Sequence, residues 1–154
     1  MTSPYHDFLK PTNIFCIVGI FIPGFTMIGI LGLQMLISFF GVECSNSWRL
    51  MWVFTTIGSM GLPAYFFWYV KTTSSSIKVI KQALTFFNIF EYTFLQATIG
   101  MFFSDGKTLC YVIDGQNGLQ FVFTGWFAIP ILIGLSLFFR EALKKNNNIS
   151  QRNS

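Results

Sequence analysis

The sequence predicts an all-α, polytopic membrane protein: four transmembrane helices in one bundle, with both termini cytoplasmic. Three observations lead there. The chain is 53% hydrophobic and 19% aromatic but only 10% charged, where a globular domain is about a quarter charged. Its apolar residues fall in four runs, about 14–40, 50–70, 79–103 and 119–139, each long enough for the roughly 20 residues that cross a bilayer. Its basic residues gather in alternate connections. With 154 residues there is room for one domain. The plan is a cytoplasmic segment 1–13, a transmembrane domain 14–140 and a disordered cytoplasmic tail 141–154.

Hydrocarbon offers no partner to an unpaired backbone group, so runs of this length should be helices. The first run is too long for a signal-peptide core, and no clear small-residue cleavage pattern follows it. It reads as a retained helix. The short connection "GVECSNS" leads to the second run, and the third follows the basic stretch around Lys71, Lys78 and Lys81. After the fourth run comes the polar tail "KKNNNISQRNS", which includes the sequon Asn148-Ile149-Ser150. A cytoplasmic tail would leave that sequon unglycosylated.

Orientation follows from charge. Lys10, Lys71, Lys78, Lys81, Arg140, Lys144, Lys145 and Arg152 fall on one side, against Arg49 and Lys107 on the other. That asymmetry assigns the richer side to the cytoplasm. Cys44 and Cys110 then lie in two different non-cytoplasmic loops and are candidates for a disulfide, the alternative being two free thiols. The charges form no basic patch interleaved with aromatics, which argues against nucleic acid. A metal centre is not expected either, since the single histidine, His6, lies on the opposite side from both loop cysteines. No cofactor is implied.

Pro23, Pro63 and Pro130 sit inside the first, second and fourth runs. Each removes one amide donor and frees a carbonyl, on Gly19, Ser59 and Trp126, so each is a predicted kink. Counted from the cytoplasmic boundary, the three prolines and Glu91 fall about 10 to 18 Å deep. Two readings are open: kinks that serve packing, or broken helices around a polar binding or gating layer.

Within the third run, Asn88, Glu91 and Thr98 stand at i, i+3 and i+10 and form a polar stripe expected to face the bundle interior. An acidic residue at mid-span costs about 2.5–3.5 kcal/mol on insertion scales. No Lys or Arg lies in any apolar core to offset it. The cheapest resolution within the chain is a neutral acid donating to a proline-freed carbonyl. Glu91→Gln should then be tolerated, while Glu91→Leu should leave polar neighbours unpaired.

Gly24, Gly29 and Gly32 on the first helix, with Gly58 and Gly61 on the second, permit close backbone approach, within the chain or to a partner. Catalytic constellations are missing: there is no paired-carboxylate or Ser–His set at membrane depth and no phosphate-cradling loop. The chain is not expected to be an enzyme.

The second half carries a cadence of its own. "NIFEYTFLQATIGMFFSDG", followed by "LCYVIDGQNGLQFVFTGWFAIPILIGLSLFFRE", resembles a helix–loop–helix unit of the FRAG/DRAM family, over residues 87–145. That family includes the post-GPI-attachment factor and the damage-regulated autophagy modulators. Glu91 would take the place of the family's intramembrane acid and Asp114-Gly115 that of its loop segment. The family's loop histidine is missing here, its longer first loop is reduced to "GVECSNS", and there are four helices where members have five or six. The resemblance implies an endomembrane protein linked to lipid-anchor maturation or lysosomal membrane function.

Three functions are therefore expected in competition. One is an accessory or assembly subunit, in contact with the bilayer and other membrane-protein subunits. Another is a proton- or cation-coupled transporter or channel component using Glu91, and the last is the lipid-anchor role. The location would be the endomembrane system or the plasma membrane.

Overall fold

A computed structural model describes the backbone of residues 7–73, 75–104, 109–110 and 116–152. Those residues are helical almost throughout, with no strand among them. A short 3-10 turn, Asp7–Leu9, leads into α1, Lys10–Phe21, with Pro11 in the first helical turn where its missing N–H costs nothing. The helix stops before Pro23. Ile22 turns away from helical dihedrals at φ −133° and ψ 69°, as the residue before a proline is pushed to do. α2, Met27–Phe39, resumes after the turn. It ends at Gly41, whose φ of +87° is the left-handed value that favours glycine just past a helix.

α3 runs Cys44–Thr72 and α4 runs Ile77–Phe103. After them come α5, Gln116–Phe123, and α6, Gly125–Arg152. α3 and the stretch Leu119–Asn146 are each long and apolar enough to cross a membrane. α4 matches α3 in length but carries Lys78, Lys81, Asn88, Glu91 and Gln96. It is the central helix, packing against each of α1, α2, α3, α5 and α6. Its inward residues, Leu84, Phe87, Tyr92 and Leu95 among them, join Phe66 of α3 and Leu132 and Phe139 of α6 in the main core. A second cluster, around Trp48, Met51, Ala97 and Phe121, fills the other end. The perimeter is apolar and exposed, as with Phe21, Ile28, Phe39 and Met60.

Three expectations need correction. The first apolar run is two helices, because Pro23 ends α1 instead of kinking a continuous helix. Pro63 and Pro130, by contrast, lie inside continuous helices. The fourth run is also divided, at Thr124, where no proline stands. The tail expected to be disordered continues α6 to Arg152. Glu141, Ala142, Leu143 and the two lysines after them are strong helix formers, and Lys144 bonds Glu141 one turn back at 2.9 Å.

The cysteine expectation is met: Cys44 and Cys110 are bonded, with Cα atoms 6.0 Å apart, and Cys16 is free and buried. His6, Lys107 and Asp114-Gly115 lie outside the described residues, as do the side chains of Asn148-Ile149-Ser150.

Candidate functional site

The polar residues of α4 sort into separate sites along the helix. Nearest the lysine-rich end, Asn88 donates to the Thr12 hydroxyl of α1 at 3.0 Å. Thr12 in turn pairs with Ser136 of α6 at 2.7 Å. All three are buried, and the cluster ties α1, α4 and α6 together. Toward the other end, Thr98 donates to Thr55 of α3 at 3.3 Å and lies 3.5 Å from the Thr56 hydroxyl, which donates to it. Asn88, Glu91 and Thr98 do share a face, but Asn88 and Thr98 bond to different helices and none of the three bonds to another.

Glu91, between them, is fully buried. Neither carboxylate oxygen has a hydrogen-bond partner among the described residues. The expected bond to a proline-freed carbonyl is not formed. Pro63 and Pro130 nevertheless stand at about the level of Glu91 along the bundle. Pro63 lies between Thr56, opposite Thr98, and Phe66, whose ring packs on Phe87 at 4.8 Å. Pro130 lies between Thr124, which reaches Gln96, and Ser136, joined through Thr12 to Asn88. Glu91 falls inside both brackets.

A third site, which the stripe of Asn88, Glu91 and Thr98 did not reveal, holds the two helix breaks. The amide of Gln96 donates to the carbonyls of Pro23, at 3.0 Å, and Val122, at 3.1 Å. Its oxygen accepts the Thr26 hydroxyl. The Tyr92 hydroxyl also donates to the Pro23 carbonyl, at 2.9 Å. Thr124 donates to the backbone oxygens of Phe121, at 2.6 Å, and Gln96, at 3.3 Å. The breaks at Pro23 and Thr124 therefore meet beside α4, which supplies the donors that the interrupted helices lack. Gly125 completes the fit: a Cβ there would fall on the Pro23 carbonyl and the Tyr92 hydroxyl. A weak signal was present in sequence, the i, i+4 pair Tyr92 and Gln96 beside Pro23-Gly24 and Thr124-Gly125.

Near the disulfide, Gln34 donates to Ser47 at 2.9 Å and Ser38 at 3.1 Å, which joins the ends of α2 and α3. Among the described residues no group of three His, Cys, Asp or Glu side chains could hold a metal ion. No family model, curated protein or solved structure matches the chain. The FRAG/DRAM resemblance thus rests on the residues quoted for it.

Proposed function

We propose that the chain is a four-span, non-enzymatic membrane protein with cytoplasmic termini, working as an accessory or assembly subunit of a larger membrane complex. The spans would be the broken α1–α2 pair, α3, α4 and the broken α5–α6 pair. One observation carries the subunit role: the glycines divide into two groups. Gly24 and Gly58 are occupied from within, since a Cβ at either would meet Val122 or Phe94 at 2.7 Å. Gly29 and Gly32 of α2 have open space where a Cβ would stand. In hydrocarbon, apolar burial does not draw helices together, whereas close backbone approach over small residues does. Gly29 and Gly32 lie on the same outward face as the exposed Ile28 and Met35. A partner helix crossing there would bury that face without moving any residue of the bundle.

Native-gel migration, with identification of co-purified proteins, tests this. The protein should run as a heteromeric species. Gly29→Leu/Gly32→Leu should lose the partner while keeping helix content and the disulfide. A single monomeric or homo-oligomeric species from the unaltered chain would sink the idea.

Glu91 favours a second reading. A buried carboxylate with no hydrogen-bond partner among the described residues is an expensive feature to keep. It would suit a proton- or cation-coupled component in which Glu91 takes up the transported charge.

A further inference from the structure

A cleft opens between α3 and α6 at the lysine-rich end, with a volume of about 510 Å³. Its floor is aromatic, with Phe67 and Phe138 stacked at 4.9 Å and 26°. Lys71 lies one helical turn beyond Phe67, and Lys145 two turns beyond Phe138. At 1.5 Å of rise per residue, the two lysines stand about 6 Å and about 10 Å further toward the helix ends than the floor. The cleft therefore grades from apolar to cationic along the helix axes, the gradient a phospholipid has from acyl chain to headgroup.

Glu141 also lines the cleft, but its carboxylate is engaged by Lys144 at 2.9 Å and by Arg140 at 3.2 Å. Those two ion pairs, made beside the cleft, offset its charge. Lys71 and Lys145 thus line the cleft against one carboxylate that is itself already offset. A second cleft, between α1 and α4, sets Lys10 and Lys81 over Ile14, Phe15 and Val18. There the Asp7 carboxylate stands 3.9 Å from Lys81 and offsets half of the charge. The excess of positive charge is at the α3–α6 cleft.

We infer that the α3–α6 cleft binds one acidic phospholipid, with an acyl chain on the Phe67–Phe138 floor and the anionic headgroup between Lys71 and Lys145. Basic pockets between membrane helices hold anionic headgroups in this way. A soluble acidic peptide would use the lysines and leave the stacked rings without an occupant. The site needs the bilayer setting but no partner subunit, so it stands or falls separately from the assembly role.

Native mass spectrometry of the purified full-length protein provides the test. The micelles would contain equal amounts of phosphatidylserine and phosphatidylcholine with matched acyl chains. Phosphatidylserine should be retained preferentially. Lys71→Gln and Lys145→Gln should each weaken that preference about 5-fold, and the pair about 25-fold, from the attraction of one lysine for an acidic surface. Both lysines are exposed, so either single variant gives the readout if the double variant inserts poorly. Lys78→Gln, outside the cleft, should change nothing. Equal retention of the two lipids would overturn the inference, as would a loss in Lys78→Gln equal to that of the double variant. So would glycerophosphoserine binding as tightly as the whole lipid, because the aromatic floor would then be idle.

Discussion

The Pro23 carbonyl accepts from two side chains of α4, Tyr92 and Gln96, and that shared acceptor makes a quantitative prediction. Tyr92→Phe removes one bond but leaves Gln96 on the carbonyl and the ring against Phe15 and Phe25. Side-chain hydrogen bonds inside membrane proteins average about 0.6 kcal/mol, so Tyr92→Phe should cost about that much. Gln96→Leu removes the bonds to Pro23, Val122 and Thr26 together, for about 2 kcal/mol on the same scale. In the double variant the Pro23 carbonyl loses both donors within the bundle. Orphaning a buried acceptor adds about 1–3 kcal/mol, so the double variant should lose about 4 kcal/mol or more, clearly beyond the sum of the singles. Equilibrium unfolding of the purified protein with SDS in mixed micelles would measure all three. Additivity within about 0.5 kcal/mol would mean that the two side chains do not share an acceptor. A Gln96→Leu variant as stable as the parent would remove Gln96 from its role as the bridge between the breaks.

Glu91 carries a prediction opposite to the one drawn from sequence. With no neighbour bonded to it among the described residues, Glu91→Leu should leave nothing unpaired and raise stability by about 1–3 kcal/mol in the same unfolding assay. Glu91→Gln should be close to neutral and Glu91→Lys worst. If Leu is less stable than Gln, a group outside the described residues is holding the carboxylate. Proton or cation flux into proteoliposomes that survives in Glu91→Leu would end the transport reading. Replacing Cys44 and Cys110 by Ser should cost about 2–4 kcal/mol by releasing a closed loop, read as a lowered unfolding midpoint. A midpoint that does not move would show that the bundle already confines the unfolded chain. For topology, a glycosylation acceptor inserted beside Asp105 should be modified in intact cells while Asn148 stays bare. Modification of Asn148 would reverse the proposed orientation.

The helices were legible because a long apolar run that crosses hydrocarbon, as proposed here, must satisfy its own backbone. The disulfide was legible because two cysteines fell in separate loops on one side. The two breaks were only half legible. Pro23 advertised one, yet a proline alone does not say whether a helix bends or stops: Pro63 and Pro130 leave α3 and α6 continuous. What differs at Pro23 is the neighbour. Tyr92 and Gln96 stand ready to take the carbonyl of an interrupted chain, so the decision was made on another helix.

The acid of α4 is an unbonded carboxylate, while the contacts that join the two breaks are made by neutral side chains. A stripe drawn through Asn88, Glu91 and Thr98 follows one face of α4, whereas Gln96 is five residues past Glu91 and turns about 140° away from it. Charge marks the residue that is costly to bury, and Glu91 is that residue. Neutral amides and hydroxyls mark where a backbone has been opened, because only they can meet a stranded carbonyl without bringing a charge into the core. In a helical bundle an interrupted helix therefore predicts a donor on an adjacent helix at the same level. Here that donor is Gln96, with Tyr92 one turn before it, and Gly125 supplies the space in which the two broken ends and the bridge can meet.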